Sequence, residues 1–154
     1  MKKILIINAS YYNAISKGLQ KGSEITLKKE SKTKIKIKRI IVPGIFEIPL
    51  IISKNIKKFD GFIALGCVIK GETPHFTFIS KTTFDSIMKL SVDYKKPIGN
   101  GIITALNMNQ ARKRSANIEF SKPFLKDKIK KNNNGIEATR AVLSLLGILK
   151  NGKK

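Results

Sequence analysis

From Phe62 to Gly66 the chain runs without a charge into Cys67-Val68-Ile69, and the run then stops at Lys70-Gly71-Glu72-Thr73-Pro74. An uncharged stretch of this kind reads as a strand buried on both faces, the pattern of a parallel sheet covered by helices on each side. The break is turn chemistry: Gly71 can take a positive φ, and Thr73-Pro74 reads as an N-cap followed by proline at the first helical position. From His75 to about Tyr94, the residues Phe76, Ile79, Thr83, Ile87 and Leu90 fall at helical spacing. The protein's single histidine therefore stands where a buried strand hands over to a helix. Ligands of open parallel sheets bind just beyond the carboxyl ends of the strands, and a helix start offers free N–H groups to an anion.

The rest of the chain repeats the same alternation. Lys3 to Asn8 reads as a first strand, Ile15 to about Lys29 as a helix, and about Lys34 to Val42 as a second strand whose first half alternates Ile35 and Ile37 with lysines. Pro43-Gly44 breaks it, and Ile45-Phe46-Glu47-Ile48-Pro49 opens a helix reaching Lys58. Lys96 to Gly101 leads into a fourth strand at Ile102 to Leu106. Asn107 to Gln110 then caps a helix carrying Arg112 and Arg114. After Asn132-Asn133-Asn134-Gly135 an amphipathic helix is expected from Ile136 to Lys150, through Ala138, Val142, Leu145, Leu146 and Leu149. With no repeat and no linker, 154 residues make one α/β domain with a parallel sheet covered on both faces.

Two strand-end features hold chemistry. Tyr11 and Tyr12 are aromatics on the loop after the first strand; one ring can stack a planar ligand, or can simply cover the entrance of the helix. Glu47 lies among apolar residues near a helix start at the same sheet edge as His75. Its carboxylate suits the helix dipole and equally suits ligand hydroxyls.

The net charge of +21 admits nucleic acid or anionic ligands as partners. Nearly all of the excess is lysine spread over the chain, arginine occurring only at Arg39, Arg112, Arg114 and Arg140. Its clusters, such as Lys126 to Lys131, have no interleaved aromatics to stack bases. A solvated surface is the expectation, with nucleic acid a distant alternative. One cysteine, Cys67, excludes an internal disulfide and a multi-cysteine metal site. The apolar part of MKKILIINAS is too short for a signal peptide, and no segment approaches the ~20 apolar residues of a membrane span. A cytoplasmic protein is expected.

Four segments, PGIFEIP (Pro43 to Pro49), GCVIKGETPHF (Gly66 to Phe76), GNGIIT through NQARKR (Gly99 to Arg114) and GIEATRAVLSL (Gly135 to Leu145), resemble the lumazine synthase family in order and spacing. The resemblance covers nearly the whole chain. It implies a flavodoxin-like three-layer α/β/α sandwich on a four-stranded parallel sheet, and homo-oligomers with active sites shared between neighbouring subunits. The implied reaction joins two small molecules. 5-Amino-6-(D-ribitylamino)uracil condenses with 3,4-dihydroxy-2-butanone 4-phosphate to 6,7-dimethyl-8-ribityllumazine, phosphate and water, the penultimate step of riboflavin biosynthesis, with no cofactor or metal.

By the same resemblance, Tyr11, favoured over Tyr12, stacks on the pyrimidine ring. Ile45 and Phe46 wall the ribityl chain, and Glu47 binds its hydroxyls. Cys67, Val68 and Ile69 line the heterocycle pocket, and Glu72 and Thr73 form the phosphate-binding turn. His75 transfers protons, Arg114 binds phosphate, and Asn100 is where a neighbouring subunit's loop closes the site.

The sequence also departs from the family. Asn134 stands where many members have a lysine before the glycine of the last helix, and Lys130 or Lys131 is the substitute to consider. The link between Arg114 and Gly135 is longer than usual, with Phe120, Pro123 and Phe124 in the extra part, and the first strand begins almost at once. A pentamer or a pair of pentamers is therefore expected rather than an icosahedral shell; a contact with riboflavin synthase stays open. The rival reading is a non-catalytic flavin- or lumazine-binding module, which would need the pocket but not His75 and Arg114 together.

Overall fold

The computed structural model describes residues 1–116 and 132–150. Four strands, β1 (Lys2–Ala9), β2 (Ile35–Val42), β3 (Gly61–Ile69) and β4 (Ile98–Ala105), form one sheet in the order β2-β1-β3-β4, and every pairing is parallel. Among the described residues five α-helices accompany them: α1 (Asn13–Glu30), α2 (Ile48–Asn55), α3 (His75–Tyr94), α4 (Met108–Arg114) and α5 (Asn134–Leu145). This is the α/β architecture expected from the sequence.

The uncharged run explains the topology. Residues Gly61 to Cys67 of β3 are all buried, because alternate side chains enter two separate cores. Ile63, Leu65 and Cys67 join Leu19 of α1 and Val142 and Leu143 of α5 on one face. Phe62 and Ala64 join Ile48 and Ile52 of α2 and Ile87 of α3 on the other. At ~25 cal/mol per Å² of apolar surface removed from water, these two layers supply the main driving force for folding.

Some boundaries differ from the sequence reading. β4 starts at Ile98, although Gly99-Asn100-Gly101 looks like a turn. The glycine is there for close packing: a Cβ on Gly99 would lie 2.3 Å from the carbonyl oxygen of Ala138 in α5, so the strand keeps glycine where the helix backbone approaches it. The last helix starts two residues early, at Asn134, because the Asn133 side chain accepts hydrogen bonds from the N–H groups of Gly135 and Ile136. It ends at Leu145, not Lys150: Gly147 takes φ +70°, and Ile148 N–H reaches back to the carbonyl of Leu143. The helix expected from Ile45 divides into a 3-10 turn, Ile45–Glu47, and α2. Gly71 does not adopt a positive φ, and Pro74, not Thr73, is the N-cap of α3, with no side-chain cap bond. Lys126 to Lys131, Phe120, Pro123 and Phe124 lie outside the described residues.

Candidate functional site

The chain leaves β1 toward β2 and leaves β3 toward β4, although β1 and β3 are neighbours. Their loops diverge and leave a crevice at the carboxyl ends of the two strands, the place where open α/β sheets bind ligands. A cleft of about 310 Å³ occupies that position.

Each wall has a different origin. After β1, Ser10 N–H bonds to the carbonyl of Val42, tying the two strand ends together and sending Tyr11 and Tyr12 over the crevice. Their rings meet edge to face, centroids 5.0 Å apart. Gly44 and Ile45 enter from the 3-10 turn, with Ile45 fully packed in the core at its base. The last residues of β3, Cys67, Val68 and Ile69, form the floor. Gly71, Thr73, His75, Phe76 and Ile79, from the following turn and the start of α3, close the other side.

Seven residues singled out from the sequence, Tyr11, Ile45, Cys67, Val68, Ile69, Thr73 and His75, thus share one cleft. Five others do not line it. Phe46 is 62% exposed beside it. The Glu47 carboxylate accepts a hydrogen bond from Gly44 N–H at 3.1 Å. Glu72 is exposed on the turn. Asn100 lies in β4, where its side-chain oxygen accepts from Ile102 N–H at 3.1 Å. Arg114, the last residue of α4, is exposed and donates to the carbonyl of Gln110 at 3.1 Å. Phe76 and Ile79 line the cleft too, although their helical spacing reads as core; their position just after His75 is the signal that could have placed them.

Among the described residues no Asp, Glu, Lys or Arg side chain lines the cleft. Burial pushes the Cys67 thiol up to about 11, so it serves as an apolar wall and not as a nucleophile. The Tyr12 hydroxyl is also raised, first by burial and then by Tyr11 and Cys67. No described residue hydrogen-bonds the His75 ring, which is exposed at the rim. Among the described residues no cluster of three or more His, Cys, Asp or Glu side chains could hold a metal ion, and no helix is long and apolar enough to cross a membrane. Apolar walls, an aromatic ring and an imidazole beside a helix start suit a flat, partly polar ligand with an anionic end.

A family model described as 6,7-dimethyl-8-ribityllumazine synthase matches residues 1–150. A 6,7-dimethyl-8-ribityllumazine synthase of Campylobacter curvus is 32% identical over 152 residues, covering 97% of this chain and 90% of its own. One of Buchnera aphidicola subsp. Schizaphis graminum is 36% identical over 154 residues, covering 98% and 89%. Another, of Bartonella tribocorum, is 40% identical over 115 residues, covering 73% and 74%. With residues 1–150 matched by the family model and relatives above 30% identity over nearly the whole chain, the chain belongs to the 6,7-dimethyl-8-ribityllumazine synthase family.

Proposed function

We propose that this chain condenses 5-amino-6-(D-ribitylamino)uracil with 3,4-dihydroxy-2-butanone 4-phosphate in the cleft between β1 and β3, and that a neighbouring subunit completes the site. The observation that carries this reading is the joining of Tyr11, Cys67, Val68, Ile69, Thr73 and His75 around one crevice. In it the pyrimidine stacks on Tyr11 against the end of β3, and the ribityl chain runs along Ile45 and Phe46 to Glu47. The phosphate rests on the turn at Glu72 and Thr73, by the start of α3.

The chemistry asks little of the protein beyond position and proton transfer. The 5-amino group attacks the ketone to form an imine with loss of one water. Phosphate leaves by elimination to give an enol that becomes a second ketone, and the ribitylamino nitrogen attacks that ketone to close the ring with loss of a second water. Each step moves a proton. His75 sits at the rim as donor and acceptor, a service worth ~10²- to 10⁴-fold in rate. Orientation of two substrates in one pocket supplies much of the rest.

Arg114 and Asn100 project from α4 and β4 without lining the cleft of their own protomer. They are offered to the site of a neighbour, where Arg114 supplies a forked donor for phosphate. Exposed apolar side chains on the 3-10 turn, α2 and α3, including Phe46, Leu50, Phe78, Met88 and Val92, give such an assembly a surface to bury. A pentamer or a pair of pentamers is the assembly that buries this surface, and the cytoplasm is the proposed compartment.

Co-expression tests the sharing directly. His75→Ala and Arg114→Ala chains are each impaired alone. Assembled together at random, they regain roughly a quarter of the wild-type sites if the two residues act across a subunit boundary. No recovery above the mean of the two variants would place both residues in one protomer's site.

A further inference from the structure

Tyr11 and Tyr12 are adjacent in sequence, yet the fold treats them differently. Tyr11 is 76% exposed and belongs to no helix or strand. Tyr12 is half-buried and anchored twice. Its carbonyl accepts the N–H of Ser16 at 2.9 Å in the first turn of α1, and its ring packs against the core cluster that contains Ile15 and Cys67. The two rings meet at 78° with centroids 5.0 Å apart, within the range of a stabilising edge-to-face pair. The Tyr12 hydroxyl has no hydrogen-bond partner among the described residues, so nothing there requires a tyrosine for its oxygen.

We infer that Tyr12 is a positioning residue: its ring, fixed on α1 and the core, holds the exposed Tyr11 ring in the orientation that stacks the heterocycle. This rests on the reading that Tyr11 is the stacking residue. An exposed aromatic on a loop samples several staggered rotamers, and stacking uses only those that turn the ring face toward the ligand. Contact with a ring that is itself immobile removes that freedom before the ligand arrives, and preorganisation of this kind appears as affinity. Tyr12 does not itself need to touch the reacting atoms. Its lining position at the back of the aromatic pair is sufficient.

A double-mutant cycle read by fluorescence titration with 6,7-dimethyl-8-ribityllumazine tests the inference. Tyr11→Ala is the control: unchanged binding in that variant would remove the stacking reading itself, whatever Tyr12 does. With that control weakened, Tyr12→Leu alone should loosen binding about 3- to 10-fold, the worth of an aromatic pair. The same change in the Tyr11→Ala background should do almost nothing. Tyr12→Phe, which keeps the ring and loses the hydroxyl, should bind as wild type. A loss with Tyr12→Leu that persists in the Tyr11→Ala background, or an equal loss with Tyr12→Phe, would overturn the inference. Should Tyr12→Leu fail to fold, Tyr12→Met fills the same space with a flexible apolar chain and enters the same cycle.

Discussion

The carboxylate of Glu47 accepts a hydrogen bond from the N–H of Gly44 at 3.1 Å, closing the turn that carries Ile45 into the floor of the cleft. One side chain therefore has two duties, shaping the turn and, in the proposed site, meeting the ribityl hydroxyls. The two separate by substitution. Glu47→Ala should cost about 1 kcal/mol of stability, as the loss of a helix-end cap does, and raise the KM for the ribityl substrate. Glu47→Gln keeps an acceptor for Gly44, so its melting temperature should stay near wild type while that KM still rises several-fold. Equal KM values for wild type and Glu47→Gln would confine Glu47 to the turn.

Asn133 uses all of its hydrogen-bonding capacity in a site that is 1% exposed. Its amide donates to the carbonyls of Gly18 and Ala116, and its oxygen accepts from Gly135 and Ile136 N–H. Asn133→Ala should cost about 2–4 kcal/mol, since it strands buried backbone groups. The urea midpoint at fixed protein concentration measures this. A change under about 0.5 kcal/mol, the range of ordinary surface positions, would mean the cluster is replaceable by water.

Asp60 supplies a pH signature. Its carboxylate accepts the N–H of Lys3 at 2.7 Å and is approached by Lys2 Nζ. These groups, the backbone bond first, hold it below the usual carboxylate range. A carboxyl lowered in the folded state stabilises above its unfolded value, near ~4, and loses that contribution as pH falls through the folded value. The Glu24 carboxyl, lowered mainly by its hydrogen bond from Arg39, acts in the same direction. Melting temperatures should therefore fall below about pH 4, and less steeply for Asp60→Asn. Identical slopes for the two proteins would remove Asp60 from the account.

With its thiol pushed up to about 11 by burial, Cys67 should resist iodoacetamide. At pH 8 its thiolate fraction is roughly 10²-fold below that of an ordinary cysteine, and alkylation should slow by about that factor until the chain is unfolded in urea. Alkylation at the rate of a free thiol would contradict the buried floor.

Much of this was legible in the sequence for physical reasons. The uncharged run at β3 has the look of a strand covered on both faces, and the turn chemistry from Lys70 to Pro74 placed His75 at its carboxyl end. The β4 start was hidden because Gly99 and Gly101 are turn residues by propensity but strand residues by packing, and only the approach of α5 reveals which applies. Local pattern also could not divide the work of Tyr11 and Tyr12. Their difference comes from the helix that starts just after Tyr12, whose first turn bonds back to the Tyr12 carbonyl, and from the core beneath. Arg114 and Asn100 read as site residues by family motif, yet within one chain neither reaches the cleft, because the site is proposed to be assembled from two subunits and a single chain encodes only its halves.

The most direct test is the reaction itself: purified protein mixed with the two substrates, with the absorbance and fluorescence of the lumazine product followed against the slow uncatalysed condensation. The account predicts formation well above background. His75→Ala should lower turnover by about 10²-fold without abolishing it, and Arg114→Ala should raise the KM of the phosphorylated substrate and remove activity at ordinary concentrations. Background rate from the wild-type chain, with tight binding of the lumazine or a flavin retained, would contradict catalysis and leave a binding module.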